Sequence, residues 1–147
     1  MFSPFVRHLN IYRKYFQEQK LPFSFLAGEV PMQQRAGVIQ EFDQHTGHRV
    51  FLIQLKTGGS GLNLTKADNV FLLDPWWNPA AEDQAIARSH RIGQHQPVFA
   101  WRFITKDTIE EKILHLQERK TRLANDILEG TSSFRTLTEE ELTDLFG

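Results

Sequence analysis

Cysteine is absent from the 147 residues. That excludes a disulfide framework and a thiolate zinc site, and it fits an intracellular setting. An excess of charge of either sign is missing too, with 17 Lys and Arg against 18 Asp and Glu. Any contact with a polyanion must therefore come from a local patch and not from the global field. No apolar run is long enough to span a bilayer and the N-terminus lacks a signal-peptide pattern, so no membrane partner is expected. Neither a G-x-x-x-x-G-K-[ST] loop nor an acidic box after a strand occurs. The groups that usually grip the β- and γ-phosphates and magnesium of a nucleotide are thus not in this chain. His45 and His48 have i, i+3 spacing but sit in a Thr-Gly turn without an acidic or cysteine partner, so no metal site is expected. Internal repeats and low-complexity segments are also lacking.

What is present centres on Leu55 to Gln94, LKTGGSGLNLTKADNVFLLDPWWNPAAEDQAIARSHRIGQ. A glycine loop, Lys56 to Gly61, follows the apolar run Val50 to Ile53. Glycines at a strand end let backbone N–H groups approach a phosphate or sugar closely. Val70 to Leu73 is a second apolar run, ended by Asp74-Pro75. Trp76 and Trp77 lie between prolines that forbid regular structure, so they form an aromatic loop. Asn78-Pro79 then supplies an N-cap and a first helical position, with Glu82 and Asp83 in the first turn. The helix is expected to run to Gly93, with Gln84, Arg88 and Arg91 on a single polar face. Two arginines so placed suit an anionic ligand such as a nucleoside triphosphate; an ordinary solvated face is the alternative.

At this length the chain is expected to form one domain. Phe5, Leu9, Tyr12 and Phe16 have helical spacing. Phe23 to Ala27 reads as a buried strand. Pro31 opens a helix with Met32, Ala36, Ile39 and Phe42 on one face. Strands follow at Val50 to Leu55, Asn69 to Leu73 and Pro97 to Ile104, the last with Phe99, Trp101 and Phe103 on one side. Asp107 and Glu110 predict a capping box for a long helix to about Glu129 carrying Ile109, Ile113, Leu116, Leu123 and Ile127. A linker and a short helix from Thr138 to Phe146 complete the chain. Apolar strands alternating with helices predict an α/β fold, a mainly parallel sheet covered on both faces. The loops at the strand C-termini then form the ligand edge, carrying the glycine and aromatic loops.

GGSGLNLT, DPWWNP and QAIARSHRIGQ resemble motif V, the aromatic loop after it and motif VI of the Swi/Snf-type helicase-like ATPases, the double-stranded DNA translocases of superfamily two. RNA helicases of the DEAD type usually carry HRxGRxxR where this chain has HRIGQ. The similarity extends from Phe2 to about Gly130, and more weakly to Phe146. It implies the C-terminal RecA-like lobe, a three-layer sandwich over residues 1–106, with its first strand truncated before Phe2. A brace-like helix over 107–130 and a linker with a short helix over 131–147 follow. Gly28-Glu29-Val30-Pro31 departs from the usual Gly-Ser-Thr-Pro and, with the lack of insertions, resembles the bacterial branch. The implied location is bacterial cytoplasm at the nucleoid, or the nucleus if the source is eukaryotic.

The resemblance also implies roles. Arg88 and Arg91 would be arginine fingers reaching ATP held, with Mg2+, mainly by an N-terminal RecA-like lobe. Gly59, Gly61, Asn63 and Gln84 would line the nucleotide. Lys56, Thr57, Gly58, Ser60 and Trp77 would meet double-stranded DNA, with Arg35 substituting for the altered GEVP contact. Thr57, Ser60 and Asn63 also suit local turn bonding, and Trp77 a packing anchor; Trp76 is assigned to packing. A DNA-bound protein is a further implied target. The alternatives are a regulatory nucleic-acid-binding lobe without a motor role, or part of a strand-separating helicase.

Overall fold

A computed structural model describes residues 1–57, 62–90 and 96–128. Residues 1–104 form one compact unit and residues 105–147 a second.

The first unit is built on five strands: β1 (Phe2–Ser3), β2 (Phe23–Leu26), β3 (Val50–Gln54), β4 (Asn69–Leu72) and β5 (Phe99–Arg102). Their order is β2-β3-β1-β4-β5 and every pairing is parallel. Three helices connect them: α1 (Val6–Glu18), α2 (Met32–Gln44) and α3 (Pro79–Ala87). The expected parallel α/β architecture is therefore found. Alternation along the strands explains why they read as unbroken apolar runs. Phe51, Ile53, Val70 and Leu72 pack with Phe42 and Ala85, from α2 and α3. Leu52, Leu73, Val50 and Phe71 turn the other way, onto Leu9, Tyr12 and Phe16 of α1. Leu9, Leu26 and Leu52 are wholly buried, and each such side chain favours folding by about 1.5–3 kcal/mol.

The central strand is the shortest. Phe2 pairs with Ile53 and with Leu72, whereas β3 starts at Val50 and β4 at Asn69, three residues earlier on either side. A cavity of about 440 Å³ opens at the strand-start edge, lined among others by Met1, His45, Val50, Asn69 and Ser89.

Several details depart from the sequence pattern. Met32 and Ala36 are exposed, and α2 instead presents Val38, Ile39 and Phe42 to the core. Phe99, Trp101 and Phe103 do share one side, but all three are exposed because β5 is an edge strand. Trp101 Nε1–H donates to Asn69 Oδ1 at 3.0 Å, and Phe103 stacks on Phe71.

In the second unit the described element is α4 (Ile109–Leu128). It starts one residue later than a cap at Asp107 would place it. Thr108 Oγ1 accepts the Glu110 N–H at 3.2 Å, while the Glu111 carboxylate accepts the Asp107 N–H at 2.9 Å. Asp107 has φ of 61°, outside the extended conformation of a helix N-cap, so Thr108 takes that role. Ile113 and Gln117 are buried and Ile109 is exposed. The Leu123 and Ile127 side chains, the linker and the expected terminal helix lie outside what is described.

Candidate functional site

All five strands point the same way, so their C-terminal ends converge on one edge of the sheet. The backbone places Gly28, Gln54 to Thr57, Ser3 to His8 and Asp74 to Asn78 there. Gln54 links two of these loops: its Oε1 accepts the Gly28 N–H at 2.9 Å and the Thr57 hydroxyl at 3.0 Å. Thr57 is thus engaged in the local bonding that its position in a turn allows. Lys56 is exposed, its ammonium 5.5 Å from the centre of the Trp76 ring, within cation–π range.

The aromatic loop is held at both ends by carboxylates, the half-buried Asp74 and the buried Glu82. At its start, the Ser3 hydroxyl donates to Asp74 Oδ2 at 2.5 Å and accepts the Phe5 N–H at 3.0 Å. His8 Nδ1 faces both Asp74 oxygens, at 2.9 and 3.0 Å. On the far side, Glu82 Oε1 accepts the Trp76 N–H at 2.7 Å and Oε2 accepts Arg102 Nε–H at 3.0 Å. Trp76 meets Phe5 edge-on at 6.2 Å and packs on the core, which agrees with the packing role expected for it. Its neighbour Trp77 is 48% exposed. Asn78 caps α3 as its sequence predicts, Oδ1 accepting the Ala80 N–H at 3.1 Å.

Two expectations for α3 are corrected. The helix ends at Ala87 and not at Gly93, with Arg88 as its C-cap. Gln84 is exposed, but Arg88 is only 3% exposed, so the two do not share a solvated polar face. The physical reason is the position of Arg88. It closes the helix beside the 62–68 segment, where the Leu64 N–H donates to the Arg88 carbonyl at 3.0 Å. Its neighbour Ser89 lines the cavity at the strand-start edge. α3 therefore runs from the aromatic loop at one edge of the sheet to Arg88 at the other, about 13 Å for nine residues.

The remaining candidates divide by place. Asn63 is exposed in the 62–68 segment near Arg88, not at the aromatic loop. Arg35 is half-buried and its Nε–H donates to the Val30 carbonyl at 3.0 Å, which ties down the β2–α2 turn. Gly58, Gly59, Ser60, Gly61 and Arg91 lie outside the described residues. Among the described residues, no group of three or more His, Cys, Asp or Glu side chains could hold a metal ion. No described helix is long and apolar enough to cross a membrane.

Sequence reasoning missed the residues that hold the loop. The sequence pattern assigns Ser3 and His8 no role, and it marks Asp74 as a strand terminator and Glu82 as a helix-dipole acid. The available signal was that Asp74 follows a wholly apolar strand, and an acid there is half-buried and needs partners.

The model of the helicase conserved C-terminal domain family matches residues 1–93. The DNA repair protein RAD5 of Cryptococcus neoformans var. neoformans serotype D is 40% identical over 148 residues, spanning 100% of this chain and 12% of its own. The DNA repair protein RAD5B of Arabidopsis thaliana is 42% identical over 146 residues, spanning 99% of this chain and 11% of its own. The crystal structure of the C-terminal part of the Fun30 ATPase domain superposes with a TM-score of 0.75 at 36% identity, covering 79% of this chain and 38% of that one. Both of these relatives are eukaryotic, and an uncharacterized ATP-dependent helicase of Mycoplasma pneumoniae is also 38% identical over 147 residues, so the similarity spans both kinds of source and does not support the expected bacterial-branch placement.

Proposed function

The chain belongs to the helicase conserved C-terminal domain family, in its Swi/Snf-type branch with a RecA-like α/β fold, and from that premise we propose that it is the second motor lobe of an ATP-dependent double-stranded DNA translocase. The observation that carries this reading is the placement of α3. One end of the helix begins at a rigidly held aromatic loop with Trp77 exposed, and the other closes at Arg88. A motor lobe must connect a polymer contact to a nucleotide contact, and this helix joins the candidates for both.

Lys56, Thr57 and Trp77, with Gly58 and Ser60, would meet the DNA backbone, and Arg35 would support the turn beside them. Such contacts are blind to sequence. Gln84, Asn63, Gly59 and Gly61 would face the nucleotide, and Arg88 and Arg91 would supply cationic charge. Exposed amides at Gln84 and Asn63 fit a nucleotide, whose oxygens accept hydrogen bonds. The described residues do not fit magnesium, since they offer no acidic cluster; the ion is assigned to the N-terminal lobe. When bound there, ATP would supply the phosphoryl group whose transfer develops the charge that an arginine finger meets.

The domain division follows the same reading: a lobe over 1–106, a brace-like helix over 107–130, and a linker with a short helix over 131–147. The place of action would be wherever the cell holds its DNA, and a DNA-bound protein is the proposed target. The burial of Arg88 favours a narrower version, in which Arg88 organises the end of α3 and Arg91 alone reaches the nucleotide. The test is ATP turnover by the full-length protein with and without duplex DNA. Turnover that duplex DNA fails to stimulate would sink the motor reading and leave a binding or regulatory lobe.

A further inference from the structure

Glu82 is spent on something other than capping its own helix. It is 1% exposed, and a carboxylate taken out of water needs partners for both oxygens. One oxygen turns back to the aromatic loop and takes the Trp76 N–H; the other reaches β5 and takes Arg102 Nε–H. Arg102 is partly exposed and also approaches Asp83 at 3.6 Å. Glu82 therefore joins three elements at one point: the loop, the first turn of α3 and the edge strand.

We propose that Glu82 is a positioning residue that couples the aromatic loop to the Arg88 end of α3, an inference that rests on the motor reading above. Trp76 N–H is one residue from exposed Trp77, so a displacement of that ring is felt at Glu82 through a single short hydrogen bond. From Glu82 to Arg88 is six residues of continuous helix and cap, about 9 Å. A helix packed through Ala81, Ala85 and Ile86 moves as a unit and does not flex. Arg102 supplies the counter-charge that holds the Glu82 carboxylate aimed at the loop. Without it the carboxylate loses one of its two directional anchors, and the loop moves independently of the helix.

The experiment uses the full-length protein and measures ATP turnover with and without duplex DNA, melting temperature, and amide hydrogen exchange over residues 74–82. Glu82→Gln keeps the shape and an acceptor for Trp76 but loses the charge paired with Arg102. Arg102→Gln breaks the same link from the solvent side, which covers the case in which Glu82→Gln does not fold. Each is expected to lower the DNA-stimulated rate about tenfold, to speed exchange in the loop, and to leave the DNA-free rate near that of the parent. Arg102→Lys, which keeps the charge, should restore part of the stimulation. The proposal is overturned if the stimulation factor is unchanged in both variants. It is likewise overturned if stimulated and DNA-free rates fall in parallel with a lower melting temperature, the pattern of a purely structural acid. A parent protein that DNA does not stimulate would instead remove the motor reading, and this proposal with it.

Discussion

The Ser3 hydroxyl and the Asp74 carboxylate meet at 2.5 Å across 71 residues of chain. They sit just where β1 and β4, neighbours in the sheet, release into their C-terminal loops. This contact fixes where α1 begins relative to the aromatic loop. Ser3 is wholly buried, so its hydroxyl has no water to fall back on.

Asp74→Ala should therefore destabilise the lobe by about 1–3 kcal/mol, the usual cost of stranding a buried polar partner. Ser3→Ala combined with Asp74→Ala should cost less than the two single changes summed, because the pair acts as a unit. Denaturant titration of the four proteins in this cycle gives the coupling. Strict additivity would show that each residue is held by other contacts.

The two adjacent tryptophans should behave oppositely. Trp76→Ala removes a ring that packs on the core and on Phe5, and a loss of about 2–3 kcal/mol is expected, below the cost of a fully buried ring. Trp77→Ala should change stability by less than about 0.5 kcal/mol. In the full-length protein it should reduce DNA stimulation of ATP turnover more than the DNA-free rate. Equal loss of both rates with a lower melting temperature would assign Trp77 to packing.

How far these contrasts could be read from the sequence differs by element. The glycine and proline punctuation, the apolar runs and the Asn78-Pro79 cap were legible because each is a local signal, and the strands fell within one or two residues of their expected bounds. The failures have a common cause. Periodicity reports that Gln84 and Arg88 are four apart, but not that the helix stops at Ala87 and that its cap turns inward. It likewise marks Phe99 and Trp101 as one face without revealing that β5 is an edge strand. Glu82 reads as a dipole acid, because its partners Trp76 and Arg102 are brought to it by topology.

Burial separates the two arginines. Arg88→Ala should lower the melting temperature as well as ATP turnover by the full-length protein, since it empties a buried site. Arg91→Ala should reduce turnover severely, an arginine finger being worth about 10³–10⁵ in rate, and leave DNA affinity near that of the parent. Arg91→Lys should rescue poorly, because the charge remains but the planar fork is lost. Wild-type turnover by Arg91→Ala would remove the finger assignment.

The isolated chain should not turn over ATP, for want of a phosphate-binding loop. Its affinity for duplex DNA should be weak, independent of sequence and steep in salt, with log K falling linearly against log salt. Titration of two unrelated duplexes at several salt concentrations checks this. Strong discrimination between them would point to base readout, which phosphate contacts cannot provide.

The exposed outer strand has a consequence for handling the molecule. Phe99 and Trp101 lie on β5, whose outer side has no strand partner among the described residues, with Phe103 just beyond it. A free ladder of amides beside large rings is a template for strand-by-strand growth between molecules. Arg102 within that strand and Pro97 just before it are the residues that interrupt such stacking. Losing the Arg102 charge should thus make concentrated solutions clump sooner, whatever happens to the motor.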